Sequence, residues 1–260
     1  GWGLFSWEFI TSFPTDGMTK GGIFPAIIGT FILVIVMSIA AVPFGTITAL
    51  YLTEYASENS KFAAAVRFSV RTLAVVPSII FGLFGLGFFI QFVGAGADTV
   101  LNGGQLRWGQ PNILWASLTM SLLTLPVIIV SVEEALKTIP RELREASLAL
   151  GATKWQTIKK VVLRRSLPGI IAAVVLAISR AFGETIAVLM VCGNFTDMPR
   201  SIFDSCYPLP ALIANNYGEV MSIPMYDSAL LFAALILFVV TVFFNIAAWL
   251  ILLRIERSYV

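Results

Sequence analysis

Residues Phe24 to Leu52 read FPAIIGTFILVIVMSIAAVPFGTITALYL, and this apolar run decides the fold class. It contains no charged residue and is longer than the roughly 20 residues that cross the hydrocarbon core of a bilayer as a helix. Pro43 and Gly45 lie inside the run and can kink or break such a helix. The run therefore predicts a membrane-spanning helix and not a segment of a soluble core.

Four more apolar runs of spanning length follow along the chain. We assign them to residues 73–93, 113–132, 168–192 and 228–253. The chain is 58% hydrophobic and only 12% charged, which is about half the charged fraction of an average soluble domain. The second run carries Gly82, Gly85 and Gly87, and small residues at such spacing let helices approach closely in lipid. The sequence predicts an all-α integral membrane protein with five visible spans.

Basic residues are unevenly distributed between the segments that join these runs. Segments 54–72 and 133–167, together with the C-terminal tail, hold most of the 17 Lys and Arg residues. Loops on the cytoplasmic side of a membrane carry an excess of Lys and Arg. We therefore expect these segments in the cytoplasm, and the start of the chain, 94–112 and 193–227 outside.

The residue types present exclude several classes of function. The chain has no His, which removes the commonest general base and metal ligand. It also lacks a Gly-x-Ser-x-Gly elbow and a phosphate-binding Gly-x-x-x-x-Gly-Lys-Ser/Thr loop, so we expect no enzyme, metal site or cofactor on this chain. Cys192 and Cys206 fall at or beyond the outer end of the fourth run. The sequence is compatible with a disulfide between them and with two unpaired, inert thiols.

The longest cytoplasmic segment, 133–167, has the pattern of two short amphipathic helices. Arg141 to Leu150 contain no breaker, and Gly151 is the residue usually found just past a helix end. Thr153 can cap a second helix from Lys154 to about Arg165. Apolar stripes on helices outside lipid are typical of segments that bind in a groove of a partner protein. The alternative is a solvated basic loop that only sets the topology.

One set of residues in this segment resembles the coupling loop of ABC importer permeases: Glu145, Ala146, Ser147, Gly151, Val161 and Leu163. In that family the loop docks into a cleft of a cytoplasmic ATPase and transmits its movement to the spans. The resemblance implies that the first four of these residues couple this chain to an ATPase, which carries ATP and Mg on a separate chain. The usual pattern has Ala third and Pro directly after the Leu, where this chain has Ser147 and Arg164.

Two charged residues, Arg180 and Glu184, lie about halfway along the fourth predicted span. An ionised group at such depth costs roughly 2.5–3.5 kcal/mol on insertion scales, and such groups are functional candidates by default. Being four residues apart, the two are predicted to share one helix face. The guanidinium group suits an oxyanion, and Glu184 can hold Arg180 when no ligand is present or accept a proton from the anion. The alternative is a salt bridge that only orients the helix.

The stretch Arg180-Ala181-Phe182-Gly183-Glu184-Thr185 resembles the corresponding span of phosphate-specific importer permeases. In that family an Arg and a nearby Glu at this place are implicated in phosphate passage, which implies a substrate pathway of Arg180, Glu184 and Thr185. Sulfate and molybdate permeases are similar but typically carry an aromatic residue where this chain has Thr185. The family's pore is formed by a pair of subunits, A-type and C-type. Two other stretches, 51–55 and 133–136, are more similar to the A-type, whereas the Arg180–Thr185 stretch is more similar to the C-type, and of the two we favour A-type.

The resemblance covers nearly the whole chain from about Gly22 and implies the type I, MetI-like permease fold. Family members usually have six spans, so we expect the first span before Gly1, an external segment at 1–22 and the permease domain at 23–260. The implied location is the prokaryotic inner membrane. The implied partners are ATP-binding subunits, a homologous second permease and an external phosphate-binding protein, without nucleic acid. The alternatives are another oxyanion, such as sulfate, molybdate or tungstate, and a stand-alone secondary transporter.

Overall fold

The structure, a computed structural model, describes residues 7–15, 21–57, 59–101, 103–217 and 226–259, and these are mostly helical. The helices, in chain order, are α1 Trp7–Thr11, α2 Phe24–Tyr55, α3 Lys61–Leu73, α4 Ser78–Leu101, α5 Ile113–Lys137, α6 Arg141–Ala149, α7 Lys154–Phe182, α8 Ile186–Cys192, α9 Leu209–Asn216 and α10 Tyr226–Tyr259.

Five of these helices, α2, α4, α5, α7 and α10, are long and apolar enough to cross a membrane. They correspond to the five predicted apolar runs, so the predicted helical membrane class is confirmed. In the apolar part of α5, 61% of the residues are buried within the chain, whereas in the other four spans the share is at most 33%, and in α10 it is only 11%. Such an exposed apolar surface is stable against lipid or against another membrane chain.

The boundaries of the first two spans differ from the prediction. Helix α2 continues through Pro43 to Tyr55 and closes with a wider π-helical turn over Tyr51–Tyr55. The second span does not begin at residue 73, because Leu73 ends the preceding helix α3 and Pro77, with ψ of 142°, separates α3 from α4. The extended backbone at Pro77 cannot belong to a helix, and it sets the start of α4 at Ser78.

The prediction of a fourth span from 168 to 192 is wrong at both ends. Helix α7 begins at Lys154, continues through Pro168 and ends at Phe182, and α8 is a separate helix. The second helix of the cytoplasmic segment therefore does not end near Arg165, because it is the beginning of the span itself. A proline removes only one backbone hydrogen bond, and transmembrane helices tolerate that loss.

The chain divides into two compact units. The first comprises Gly1–Ile39, Pro77–Leu122 and Arg180–Val242, and the second comprises Ala40–Val76, Leu123–Ser179 and Phe243–Val260. The candidate substrate residues 180–185 belong to the first unit. The coupling residues 145–151 belong to the second unit.

In the first unit, α4 packs closely against α5 and α8 at two glycines. A Cβ atom added to Gly82 would lie 2.9 Å from the Sδ atom of Met190, and one on Gly85 would overlap with Thr119 Oγ1. The predicted close approach is thus confirmed at these two positions, whereas Gly87 has no such neighbour within 4 Å in the described part of the chain. This packing fixes α8, which directly follows the candidate substrate residues.

In the second unit, glycines allow the same kind of contact against the cytoplasmic half of α5. A Cβ atom on Gly45 of α2 would lie 2.6 Å from Ile128, and one on Gly169 of α7 would lie 2.8 Å from the Cβ atom of Ala135. Small residues at such crossings let helix backbones approach closely. Helices α2 and α7 therefore both pack on α5 in the unit that carries the coupling residues 145–151.

Candidate coupling loop and substrate path

Helix α6 ends in a glycine turn, as the sequence predicts. The amide of Gly151 donates to the carbonyl of Leu148 at 2.9 Å, and the amide of Ala152 donates to the carbonyl of Ser147 at 3.2 Å. This pair of bonds is the Schellman motif, which requires a left-handed residue after the helix. Gly151 supplies it with a φ of +85°. The turn fixes the direction in which the chain leaves α6.

The next helix begins two residues later with a capping box, which confirms the prediction for Thr153. Its hydroxyl accepts a hydrogen bond from the amide of Gln156 at 3.3 Å, and the Gln156 side chain accepts one from the amide of Thr153 at 2.9 Å. Such reciprocal bonds satisfy amides that a helix start leaves without partners. The path from α6 to α7 is therefore fixed at both ends, by Gly151 and by Thr153.

Helix α6 and the turn that follows it expose large apolar side chains. No residue of α6 is buried, Leu150 is 90% exposed and Trp155 is 54% exposed. A groove of about 540 Å³ separates α6 from the start of α7, and we call it the coupling groove. It is lined by Leu143, Ala146, Ser147, Leu150, Lys160, Val161, Arg164 and Arg165.

Two of the four predicted coupling residues line this groove, and the other two lie outside it. Ala146 and Ser147 line it, and the Ser147 hydroxyl lies 2.9 Å from the hydroxyl of Thr157 on α7. Glu145 is exposed on α6, and Gly151 forms the turn at the end of that helix. Leucine and tryptophan exposed beside basic side chains form a surface suited to another protein.

Sequence reasoning missed two ion pairs beside this segment. Arg144 pairs with Glu54 and Arg67 pairs with Glu133, each with a nitrogen–oxygen distance of 2.9 Å. The partners are 90 and 66 residues apart in the chain. Glu54 and Glu133 occur in stretches that resemble the permease family, but no spacing rule in a single sequence joins them to these arginines.

The helix is interrupted at the candidate substrate residues. Helix α7 ends at Phe182, and the amides of Gly183 and Glu184 donate to carbonyls three residues back, at 3.1 and 3.2 Å. The Thr185 hydroxyl donates to the carbonyl of Gly183 at 3.2 Å. Glycine costs about 1 kcal/mol in a helix interior, and a threonine bond to a nearby carbonyl competes with the helical ladder. These two residues account for the break.

The prediction that Arg180 and Glu184 share a helix face is therefore wrong. Arg180 lies in the last turn of α7, while Glu184 lies in the break. Arg180 is exposed, and Glu184 and Thr185 are half-buried. Within the part of the chain that the structure describes, no ion pair joins the two charged residues. The salt bridge that would only orient a helix is not formed.

The two cysteines lie together in the first unit. Their Sγ atoms are 3.0 Å apart and both residues are buried, and the amide of Cys206 donates to the carbonyl of Cys192 at 3.3 Å. The hydrogen bond with Cys192 and burial raise the pKa of the Cys206 thiol, so this thiol is protonated when the pair is reduced. Among the described residues, no group of three or more Cys, Asp and Glu side chains is arranged to hold a metal ion.

We propose that Cys192 and Cys206 form a disulfide when the protein matures in an oxidising compartment. Two thiols would lose two protons and two electrons to an external disulfide oxidant, and the sulfurs already lie in contact. We expect both cysteines to escape alkylation in unfolded, unreduced protein and to be labelled after reduction, as measured by mass spectrometry. As a control, Cys192→Ser should leave Cys206 labelled without reduction. Labelling of both cysteines in unreduced wild-type protein would rule out the bridge.

Comparison with known proteins gives a family match over most of the chain. Residues 41–257 match the family described as binding-protein-dependent transport system inner membrane component. The probable ABC transporter permease protein YqgH of Bacillus subtilis is 34% identical over 240 residues, which are 91% of this chain and 74% of that protein. The fold is similar to that of a chain of the MetNI methionine ABC transporter in an inward-facing conformation, with a TM-score of 0.64, 20% identity, and coverage of 92% of this chain and 94% of that chain.

Two further relatives carry phosphate transport in their names. The phosphate transport system permease protein PstA of Mycobacterium leprae is 40% identical over 194 residues, which are 74% of this chain and 59% of that protein. The phosphate transport system permease protein PstC of Xylella fastidiosa strain Temecula1 is 32% identical over 250 residues, which are 92% of this chain and 76% of that protein.

These matches confirm the predicted family, its MetI-like fold and the inner-membrane location. Membership of the family implies a partner ATPase, a substrate-binding protein and a second permease, and ATP hydrolysis takes place on a separate subunit. The chain belongs to the inner-membrane components of binding-protein-dependent transport systems and is a multi-pass permease subunit of an ABC importer.

Proposed function

We propose that this permease forms, with a homologous second subunit, the path by which inorganic phosphate crosses the membrane. The position of Arg180 is the observation on which the proposal depends. It is a permanently charged side chain, exposed on the chain, in the last turn before a break inside an otherwise apolar stretch. A cation at such a place is costly unless it faces a partner, a ligand or water.

The broken backbone after Arg180 supports the same conclusion. Irregular backbone at membrane depth is tolerated only where protein covers it or where it lines a water-filled cavity. Gly183 is exposed within this chain, so the break faces either the second permease or the transport path. Glu184 and Thr185 lie in the same break and add an acceptor and a hydroxyl. This set of groups can bind an oxyanion and can accept a proton from it.

The choice of phosphate rests on the residues and on the relatives together. The Arg180–Thr185 stretch resembles that of phosphate permeases, and the PstA and PstC proteins named above are 40% and 32% identical to this chain. We favour the A-type position in the pore, with a C-type chain as the second permease and an external phosphate-binding protein as the donor. Sulfate, molybdate and tungstate are the alternative cargoes, since an arginine fork binds any of these oxyanions.

For the ATPase, we propose that the coupling groove and the exposed side of α6 form the docking site. Leu150 and Trp155 supply exposed apolar surface, and Lys160, Arg164 and Arg165 supply positive charge along one wall of the groove. The matching surface on the ATPase would be an apolar cleft with acidic residues at its rim. ATP and Mg would then be bound by the ATPase alone.

The cargo is tested by uptake of radiolabelled phosphate into vesicles that contain the assembled complex and its binding protein. We expect uptake that requires ATP and that unlabelled phosphate inhibits, whereas excess sulfate or molybdate leaves it unchanged. The same vesicles without ATP are the control. Inhibition by sulfate, molybdate or tungstate at concentrations similar to that of phosphate would contradict the assignment of phosphate as the cargo.

A further inference from the structure

The side chain of Arg144 turns away from the exposed surface of α6, which we call the coupling helix. It is only 19% exposed, and it pairs with Glu54, which is 8% exposed, at 2.9 Å. A second guanidinium nitrogen lies 3.2 Å from the same carboxylate oxygen. The guanidinium also donates to the backbone carbonyls of Leu136, at 3.0 Å, and Ile139. Besides the carbonyl of the adjacent Pro140, at 3.4 Å, this side chain of α6 therefore binds three groups that do not belong to α6.

These three acceptors lie at the cytoplasmic ends of two spans. Glu54 belongs to the π-helical turn that closes α2, while Leu136 lies in the last turn of α5 and Ile139 lies just beyond that helix. The last carbonyls of a helix lack partners within it and carry the negative end of its dipole. A guanidinium, with five donors in a planar fork, can satisfy a carboxylate and such carbonyls at the same time.

A second arginine ties the same two span ends together. Arg67 of α3 donates to Glu133 of α5 at 2.9 Å and to the carbonyl of Leu52 in the last turn of α2. Lys137 also contacts Glu133 at 2.9 Å. The ends of α2 and α5 are thus bound to each other through Arg67, and α6 is bound to both of them through Arg144.

Helix α6 is too short to be stable through its own hydrogen bonds alone. It has nine residues and buries none of them, and isolated helices of this length are marginal in water. Besides the covalent turns at its ends, the Ser147 contact with Thr157 is a side-chain tie between α6 and α7. A partly buried charge-assisted pair is stronger and less screened by salt than one on the surface.

We propose that Arg144 is a positioning residue that makes the coupling helix move together with the cytoplasmic ends of α2 and α5. A displacement of α6 by the ATPase would then reach two spans through these side-chain contacts, and not only through the chain connection at residues 138–140. The role of the helix in ATP-driven import follows from the family, and the use of phosphate as the transported probe rests on the proposed function.

The test is the number of phosphate ions imported per ATP hydrolysed by the reconstituted complex. With Arg144→Ala we expect this ratio to fall about tenfold or more, as for loss of a desolvated charge pair, while ATP hydrolysis continues. For Arg144→Lys we expect a ratio between those of the wild type and Arg144→Ala, because an ammonium group cannot bridge a carboxylate and two carbonyls in the same way. Arg71→Ala removes an exposed arginine from α3 and should leave the ratio unchanged.

Glu54→Gln provides a milder variant if Arg144→Ala does not assemble, since it keeps the shape and removes only the charge. We expect its ratio to fall as well, and Glu54→Gln combined with Arg144→Ala to be no worse than Arg144→Ala alone. An unchanged ratio in assembled Arg144→Ala or Glu54→Gln complexes would overturn the proposal. If the wild-type complex does not import phosphate, the cargo assignment has failed, and the ratio is measured with sulfate or molybdate, whichever it imports.

Discussion

Replacing Arg180 with Ala is expected to reduce ATP-driven phosphate uptake by about 100-fold or more while leaving the complex assembled. Loss of one partner of a desolvated charge pair costs about 2–5 kcal/mol, and each 1.4 kcal/mol is a factor of ten. Arg180 is exposed on the isolated chain, so its loss opens no cavity in the core of this subunit. Uptake of radiolabelled phosphate, normalised to the amount of complex, measures the effect.

Two variants test whether transport depends on the charge of Arg180, on the shape of its guanidinium group and on its position in the chain. Arg180→Lys keeps the positive charge but presents a compact ammonium in place of a planar fork, so we expect weak uptake with a raised KM. Arg200→Ala removes an exposed arginine from the segment after α8 and should import phosphate as the wild type does. Wild-type uptake by Arg180→Ala would show that Arg180 takes no part in transport.

The class of helical membrane protein was predictable because it depends on the amino-acid composition of long stretches of sequence. A run such as 24–52, which lacks charge over more than 20 residues, has few alternatives to a spanning helix. The boundaries were less predictable, because they depend on competition between neighbouring residues. Pro77 separates α3 from α4, whereas Pro43 and Pro168 lie inside continuous helices. The presence of a proline in the sequence therefore does not by itself fix a helix boundary.

The candidate sites show the same division between local and long-range information. The turn at Gly151 and the cap at Thr153 were predictable, because each depends on hydrogen bonds within a few residues. The break after Phe182 was missed, because the apolar pattern continues across it and hides the effect of Gly183 and Thr185. The Arg144–Glu54 pair joins residues 90 positions apart, and periodicity carries no information on such a contact.

Replacing Gly151 with Val is expected to weaken binding of the ATPase and to lower coupled phosphate uptake about tenfold. Gly151 has a φ of +85°, and a left-handed conformation costs an L-residue about 1–2 kcal/mol, with β-branched residues worst placed to adopt it. A Cβ atom at this position would meet nothing within 4 Å in the described chain. The effect would therefore come from the backbone of the turn, which directs α6 relative to the start of α7.

Gly151→Asn is the matched control, because Asn has a side chain of similar size but enters the left-handed region more readily. We expect the Asn variant to copurify with the ATPase and to import phosphate at close to the wild-type rate, with Gly151→Ala between Asn and Val. Equal loss in the Asn and Val variants would instead mean that the ATPase contacts this position directly. Wild-type copurification and uptake by the Val variant would contradict a role of this turn in coupling, because the strained backbone would then have no effect on either property.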